Sequence, residues 1–265
     1  MYKLMAIDID DTLLNDKLQI TPGTRQAIAA AMEQGVTVTL ATGRMYASAR
    51  KIAGQIALNV PLITYQGALV KNLTEVWYER YVPSEAAEKI YRYAVEHQLH
   101  LHVFWNDQVY TPEDNEKVRA YTRLADVPYT VEPRFSTLLD KPFPKMIMID
   151  LPQKLDEVAA ELKPLLGDEV HITKSKPHYL EFTHREGTKG HALRHVAEML
   201  HCDMSQVIAV GDSWNDRDMI EAAGLGVAMG NAVDQLKELA DYVTFSNNED
   251  GVRHVIEKFI LKRVI

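Results

Sequence analysis

Two carboxylates end the first apolar run of this sequence. Residues 4–9 are apolar apart from Asp8, and Asp10, Asp11 and Thr12 follow directly. Asp8 and Asp10 are two positions apart, so in an extended chain their side chains point to the same side. Carboxylates this close repel each other and require a cation or a shared proton. Because a small cluster of hard oxygen ligands suits Mg²⁺, the pair indicates a magnesium or acid–base site. The alternative is a solvated acidic turn that closes a strand.

A buried strand would have to hold these carboxylates in place. A short, dense apolar run bounded by turn-forming residues is typical of a parallel strand that is covered on both faces. Open α/β sheets bind their ligands just beyond the carboxyl ends of such strands. The sequence therefore predicts that Asp8 and Asp10 lie at the ligand-binding edge of a parallel sheet.

Three later polar segments fall where other strands should end or helices should begin. The segments 42–44 and 211–216 follow predicted buried strands at 36–41 and 206–210, and Lys189 stands at the predicted start of a helix. The carboxyl ends of parallel strands meet at one edge of the sheet, so we expect these segments to approach the first carboxylates.

The residue types in these segments suit an anionic ligand. The Thr42 hydroxyl and the Gly43 amide could donate hydrogen bonds to phosphate oxygens, and Gly43 permits close approach of the backbone. Lys189 would add a positive charge. Capping of the following helix is the alternative role for Thr42, and a solvated helix lysine is the alternative for Lys189.

Strands and helices alternate in both terminal parts of the chain, which predicts a parallel sheet, and residues 61–64 are one of the predicted strands. This alternation is interrupted in the middle of the chain, where paired antiparallel strands are predicted, and it resumes later. We therefore predict an inserted α/β lobe at residues 84–184 and a discontinuous core of residues 1–83 and 185–265.

The composition argues against some classes of function. The chain has 265 residues, of which 46% are hydrophobic and 25% charged, and a formal net charge of −8. This acidic balance provides no basic stripe for nucleic acid. No apolar run approaches the roughly 20 residues that span a bilayer, so a membrane is not an expected partner. Because the first strand starts almost at Met1, no signal peptide is expected and the predicted location is the cytoplasm.

Taken together and in this order, four segments resemble the motifs of the haloacid dehalogenase superfamily of phosphotransferases. The inserted lobe is similar in position, size and composition to the large α/β cap of the Cof-like phosphatases, and we call it the cap. The resemblance implies a Rossmann-like parallel-sheet core that carries an inserted α/β cap domain. The four segments are Asp8-Ile9-Asp10-Asp11-Thr12, Thr42-Gly43-Arg44, Lys189-Gly190 and Gly211-Asp212-Ser213-Trp214-Asn215-Asp216.

The resemblance also implies the catalytic and metal-binding roles. Asp8 would attack phosphorus, and Asp10 would act as acid and then as base. Asp8, Asp10 and Asp212 would hold Mg²⁺, with Asp216 acting through a bound water. For Asp10 to be an acid its neutral form must be favoured, and we expect neighbouring carboxylates and the substrate phosphate to raise its pKa.

The same resemblance implies a set of phosphate-binding residues. Arg44 has two open roles, contact with the leaving group or a surface ion pair. Asn215 and Asp216 could instead cap the helix that follows them. The implied phosphate-binding residues are Ile9, Thr42, Gly43, Lys189 and Asn215.

Two positions depart from the family pattern. Asp11 stands where the family often has glycine, and we expect it to preserve the turn because aspartate tolerates unusual backbone angles. It would add negative charge near the metal. Gln66 stands where relatives commonly have asparagine, at a position that the resemblance associates with leaving-group contacts.

These residues together predict a magnesium-dependent phosphatase that acts on small phosphorylated metabolites through an aspartyl-phosphate intermediate. Sugar phosphates, nucleotides and cofactor phosphates are the candidate substrates. The alternatives are a phosphomutase of the same superfamily and, in another class, a non-catalytic sensor of a phosphorylated ligand. The cap would select the substrate, and its candidate contact residues are His102, Trp105, Lys174, Lys176, His178 and Tyr179.

Overall fold

The computed structural model of this protein describes residues 1–58 and 60–263. Among these residues, no helix has both the length and the apolar character needed to cross a membrane. The strands are β1 Leu4–Ile7, β2 Thr37–Leu40, β3 Leu62–Thr64, β4 Leu69–Lys71, β5 Val76–Glu79, β6 His100–Trp105, β7 Gln108–Thr111, β8 Tyr129–Val131, β9 Met146–Ile149, β10 Val170–Thr173, β11 Tyr179–His184, β12 Val207–Gly211, β13 Leu225–Ala228 and β14 Tyr242–Val243. The helices are α1 Pro22–Glu33, α2 Tyr46–Gly54, α3 Ser84–Glu96, α4 Glu116–Ala125, α5 Pro152–Leu166, α6 Lys189–Met199, α7 Arg217–Ala222, α8 Asp234–Leu239 and α9 Gly251–Val255.

Five strands form a parallel sheet in the order β14-β13-β12-β1-β2. β1 is buried along its whole length and lies between β12 and β2. Its last residue, Ile7, is opposite Val210 in β12 and Leu40 in β2. Because neighbouring parallel strands end at the same edge, the residues after β1, β2 and β12 meet there. The predicted α/β fold with a parallel-sheet core is confirmed.

The strand predicted at residues 61–64 does not join this sheet as expected. One parallel bridge between Ala41 and Ile63 links β3 to the end of β2. β3 pairs antiparallel with β4, which in turn pairs with β5. Tyr65 and Gln66 have φ angles of 52° and 63°, so the chain reverses immediately after β3 and β4 returns beside it. The predicted strand is confirmed and runs parallel beside the end of β2, but it belongs to a separate sheet with β4 and β5.

The cap contains a second sheet of six strands in the order β10-β11-β9-β6-β7-β8. All of these strands lie within residues 100–184, and they pair antiparallel except for β7 and β8. α3 and α5 pack against this sheet and enclose an apolar core of its own around Ile90 and Phe182. The division of the chain into core and cap stays a proposal, and the membership of the strands in the two sheets supports it.

Two buried histidines lie side by side on β6. His100 is 5% exposed and His102 is completely buried, and Nε2 of His100 is 2.9 Å from Nδ1 of His102. Burial lowers the pKa of His100 to about 4, with the charge of Lys117 acting in the same direction. Burial, His100 and Lys145 lower the pKa of His102 well below its ordinary value. Both rings are therefore neutral at physiological pH.

This pair predicts a loss of stability in mild acid. In the unfolded chain a histidine takes up a proton below about pH 6.5, whereas His100 resists it until about pH 4, so protonation favours the unfolded state between these values. We expect His100 alone to remove about 2 kcal/mol of unfolding free energy between pH 7.5 and 5, with stability retained above pH 6.5.

Urea denaturation at the two pH values measures this effect. The double variant His100→Asn/His102→Phe should lose less stability than the wild type, because it lacks both groups. His201 lies on the exposed surface, so His201→Asn serves as the control and should follow the wild-type profile. An unchanged pH dependence in the double variant would show that the histidine pair does not carry the effect.

Candidate active site

The predicted edge of the parallel sheet carries a buried cluster of three carboxylates and one ammonium group. One oxygen from each of Asp8, Asp212 and Asp216 lies within 4.8 Å of the others. The Nζ of Lys189 donates to Oδ1 of Asp8 at 2.6 Å and to Oδ1 of Asp216 at 2.5 Å. The Lys189 side chain is completely buried. The structure thus brings together four of the predicted site residues from three separate parts of the chain.

Close backbone approaches put Lys189 in this position. Lys189 is the first residue of α6, whose N-cap Thr188 accepts a hydrogen bond from the backbone N–H of His191. Gly67 packs against this helix start with a φ of 102°, and a Cβ there would lie 2.1 Å from the Thr188 carbonyl oxygen. Only glycine fits this contact, so the turn after β3 helps to hold the start of α6 at the site.

The loop after β12 orients Asp216. Its Oδ2 accepts from the backbone N–H groups of Asp212 and Ser213, each at 3.0 Å, and Ser213 and Asp216 form a capping box. A Cβ at Gly211 would lie 2.5 Å from the Cβ of Asp216. Asp216 stands directly before α7, but its side chain makes no capping hydrogen bond to that helix, so the capping alternative was wrong. The carboxylate instead closes the turn before α7 and also binds Lys189.

The cluster has an excess of negative charge. Burial raises the pKa of Asp8 well above its ordinary value, opposed by Lys189 and reinforced by the charges of Asp216 and Asp212. Burial and Asp216 raise the pKa of Asp212 to about 7. Three carboxylates face one ammonium group, so these hard oxygen donors carry more negative charge than Lys189 can balance. This donor set fits a divalent cation.

Arg44 binds Asp10 and changes its acidity. Its guanidinium donates to both carboxylate oxygens of Asp10, at 2.7 and 2.8 Å. Burial raises the pKa of Asp10, but the hydrogen bonds and charge of Arg44, together with the charges of Lys176 and Lys189, outweigh this and lower it below its ordinary value. The expected bias toward neutral Asp10 is therefore absent here, because Arg44 stabilises the carboxylate. Arg44 does form an ion pair, as one of its two alternatives had it, but with a site carboxylate and not on the surface, since its side chain is 12% exposed.

Two of the predicted phosphate-binding residues, Thr42 and Ile9, have buried side chains. Thr42 is buried, and its Oγ1 accepts from the backbone N–H of Arg44 at 3.1 Å. It does not cap α2, whose N-cap is Met45, so the capping alternative was wrong. The side chain of Ile9 is completely buried, and only its backbone can meet a ligand. The phosphate-binding roles of these residues stay predictions.

The side-chain amide of Asn215 makes one hydrogen bond within the described part of the protein. Its Nδ2 donates to Oε1 of Gln66 at 3.0 Å, and its Oδ1 is a buried atom without a hydrogen-bond partner in the described structure. The predicted donation from Asn215 to phosphate would have to use the remaining N–H of Nδ2.

Both departures from the family pattern fall on left-handed backbone. Asp11 has a φ of 59° and Gln66 a φ of 63°, and the expectation that Asp11 preserves the turn is confirmed. The Asp11 carboxylate is about half exposed and lies 3.9 Å from Nζ of Lys176. It adds negative charge beside Asp212 and helps to raise the pKa of that carboxyl.

The cap covers these carboxylates and shares a cavity with them. Of the six candidate cap residues, Lys176 and Tyr179 line this cavity. His102 is buried inside the cap, Trp105 packs on Tyr110 and Lys174 binds Asp156. The lining from the cap consists of Tyr121, Leu124, Ala125, Lys145, Ser175, Lys176, Tyr179 and Glu181.

Sequence reasoning missed Lys145 and Glu181. They form a buried ion pair at 2.6 Å on the cavity wall, with side chains 1% and 2% exposed. A signal was present, because Glu181 lies between Leu180 and Phe182 in an apolar strand. A charged residue at such a place must find a partner when it is buried.

Comparison with known proteins identifies the relatives of this chain. Residues 5–256 match the family model described as haloacid dehalogenase-like hydrolase. The chain is 34% identical over 99% of its length to YxeH of Bacillus subtilis, covering 100% of that protein. It is 34% identical over 98% of its length to the 5-amino-6-(5-phospho-D-ribitylamino)uracil phosphatase YcsE of Bacillus subtilis, covering 96% of that protein.

The fold agrees with these sequence relationships. A haloacid dehalogenase-like hydrolase from Bacteroides thetaiotaomicron superposes with a TM-score of 0.88 at 31% identity, over 97% of this chain and 99% of that one. The sequence relatives and the superposed structure match this chain nearly end to end, so the similarity includes both the parallel sheet and the cap.

Proposed function

The chain belongs to the haloacid dehalogenase-like hydrolases and is a phosphatase of that family, and from this premise we propose a magnesium-dependent hydrolysis of small phosphorylated metabolites through an aspartyl phosphate. The observation that carries the proposal is the buried cluster of Asp8, Asp212, Asp216 and Lys189. It combines a nucleophile at a strand end with charges of both signs, which phosphoryl transfer requires.

The chain's own residues divide the reaction into two displacements. A carboxylate oxygen of Asp8 attacks phosphorus, and the bond from phosphorus to the ester oxygen breaks. Asp10 gives its proton to the departing oxygen, which leaves as an alcohol. Asp10 then takes a proton from the water that attacks the phosphorus of the aspartyl phosphate, which releases inorganic phosphate and restores Asp8.

The oxygen donors at the sheet edge would hold Mg²⁺. The carboxylates of Asp8 and Asp212 and the backbone carbonyl of Asp10 are the proposed ligands, and Asp216 would act through water. When bound, Mg²⁺ would neutralise charge on the transferring phosphoryl group. Lys189 already bridges Asp8 and Asp216, and in this proposal it orients the nucleophile and faces the phosphate.

The pairing of Arg44 with Asp10 fits a state that awaits substrate. A substrate phosphate would compete for the Arg44 guanidinium, whose two donors now lie on the Asp10 carboxylate. Once Arg44 is withdrawn, burial, which raises the pKa of Asp10, is opposed only by the charges of Lys176 and Lys189. Asp10 would then carry the proton that the leaving group needs.

A small metabolite suits the covered site. The cap leaves a cavity lined by polar groups and two tyrosine rings next to the carboxylates. A relative at 34% identity is named for a phosphorylated ribitylaminouracil, and another at 28% identity is named HMP-PP phosphatase. Phosphorylated sugars, nucleotides and cofactor precursors are the proposed substrates, and the cytoplasm is the proposed location.

A phosphate-release screen tests this function. We expect release from one or more small phosphate monoesters with Mg²⁺, and a fall of at least about 100-fold when EDTA removes the metal. Phosphate that moves to another position of a sugar, dependent on a bisphosphate activator, would identify a phosphomutase instead. Binding of phosphorylated ligands without any phosphate release would identify a sensor and contradict the proposal.

A further inference from the structure

A buried chain of hydrogen bonds connects the cap to both predicted phosphate-binding loops. Lys145 Nζ donates to the Gly43 carbonyl at 2.7 Å and to Oε1 of Glu181 at 2.6 Å. The other carboxylate oxygen of Glu181 accepts from Nε2 of Gln66. Gln66 Oε1 in turn accepts from Nδ2 of Asn215 at 3.0 Å.

The order of donors and acceptors in this chain has one consistent arrangement. The Glu181 carboxylate, which pairs with the Lys145 ammonium group, can only accept hydrogen bonds, so Gln66 must present its NH₂ group to the cap. The carbonyl oxygen of Gln66 must then face Asn215, which has to donate a hydrogen bond to it from its own NH₂ group. A carboxylate in the cap thereby determines which end of the Asn215 amide faces the core.

The backbone at Gln66 indicates that this position needs the length of a glutamine side chain, which reaches both Glu181 and Asn215. Its φ of 63° is left-handed, a conformation that asparagine adopts with less strain than glutamine. Asparagine, however, is shorter by one methylene group. The site also makes room for the longer amide, because a Cβ at Gly43 would lie 2.4 Å from Nε2 of Gln66. Strain of this kind persists where surrounding contacts impose it.

We propose that Glu181 and Gln66 are positioning residues that hold the Asn215 amide with an N–H available to the substrate phosphate. The proposal rests on the proposed function, in which Asn215 donates to phosphate. A flipped amide would present Oδ1 instead, and this oxygen would repel the phosphate. Closure of the cap would thus complete the phosphate site, because Glu181 reaches Gln66 only from the cap side.

A double-mutant cycle tests the coupling. The affinity for inorganic phosphate is measured by calorimetry with Mg²⁺ present, in the wild type, Glu181→Gln, Asn215→Ala and the double variant. We expect each single substitution to weaken binding about 10-fold, the usual cost of a hydrogen bond to a charged group. The double variant should bind as weakly as Asn215→Ala, because Glu181 acts through Asn215.

Losses that multiply in the double variant would overturn the proposal, since Glu181 would then act independently of Asn215. Absence of phosphate binding in the wild type would overturn it as well. The proposed function is judged separately by the phosphate-release screen. Multiplied losses in a protein that releases phosphate refute only the positioning role. Coupled losses in a protein that hydrolyses nothing refute only the function.

A second variant separates positioning from folding. Gln66→Asn should keep or raise the melting temperature, because it relieves backbone strain, and should still bind phosphate about 10-fold more weakly because the shorter side chain spans less of the gap between Glu181 and Asn215. Gln98 is exposed and has a φ of 53°, so Gln98→Asn is the matched control with unchanged phosphate affinity. Wild-type affinity in Gln66→Asn would refute the proposal.

Discussion

Replacement of Asp8 by asparagine is expected to lower the rate of phosphate release by at least about 10⁴-fold, as expected for loss of a covalent nucleophile. The side chain keeps its size and can still accept the hydrogen bond from Lys189 that Oδ1 of Asp8 now accepts at 2.6 Å. The substitution also removes one of three mutually repelling carboxylates. We therefore expect an inactive variant whose melting temperature without metal equals or exceeds that of the wild type.

Initial rates at saturating substrate and thermal unfolding of the same samples measure the two effects. Asp11→Asn is the matched control, because Asp11 is a nearby carboxylate that is about half exposed and points toward Lys176. Its rate should stay within a few-fold of the wild type. Substantial turnover by Asp8→Asn would refute the nucleophile assignment. Equal losses in both variants would mean that general negative charge, and no specific nucleophile, matters.

Replacement of Lys189 by methionine is expected to destabilise the protein by about 3–5 kcal/mol, the usual cost of leaving buried charge without its partner. Lys189 is completely buried and is held by both Asp8 and Asp216. Without its ammonium group, Asp8, Asp212 and Asp216 would face one another uncompensated. The melting temperature should fall by roughly 10 °C, and phosphate release should also fall because the phosphate loses a cation.

Thermal unfolding with and without Mg²⁺ tests both the size and the cause of this effect. Because a divalent cation would supply the missing charge, Mg²⁺ should raise the melting temperature of Lys189→Met more than that of the wild type. Lys89 pairs with Glu85 on the exposed face of α3, so Lys89→Met is the control and should change stability by less than about 1 kcal/mol. Equal stability of Lys189→Met and the wild type would contradict the charge argument.

The predictable part of the site follows from strand geometry. Asp8 and Asp212 each follow a buried apolar strand, and parallel strands end at a common edge, so their meeting could be expected from two short segments. The resemblance to known motifs then added Lys189 and Asp216, which lie near the same edge because α6 and the loop after β12 begin there.

The contacts of long side chains were not predictable in the same way. Whether Arg44 would reach Asp10 depends on the rotamer of Arg44 and on the depth of the cavity, and neither property produces a recognisable pattern in the sequence. The pairing of Lys145 with Glu181 joins β11 to the segment before β9, and only a three-dimensional register brings them together. The Gln66 turn was likewise hidden, because glutamine is not a residue that signals left-handed backbone.

The central place of β1 in the parallel sheet has a consequence for synthesis of the protein. β1 pairs with β2 on one side, but its other neighbour, β12, begins only at Val207. A ribosome therefore produces the entire cap while the apolar edge of β1 still lacks its partner. Such an edge invites pairing with other chains. The nascent protein is accordingly prone to aggregation before residues 207–211 emerge, and the cluster of Asp8, Asp212, Asp216 and Lys189 assembles only after them.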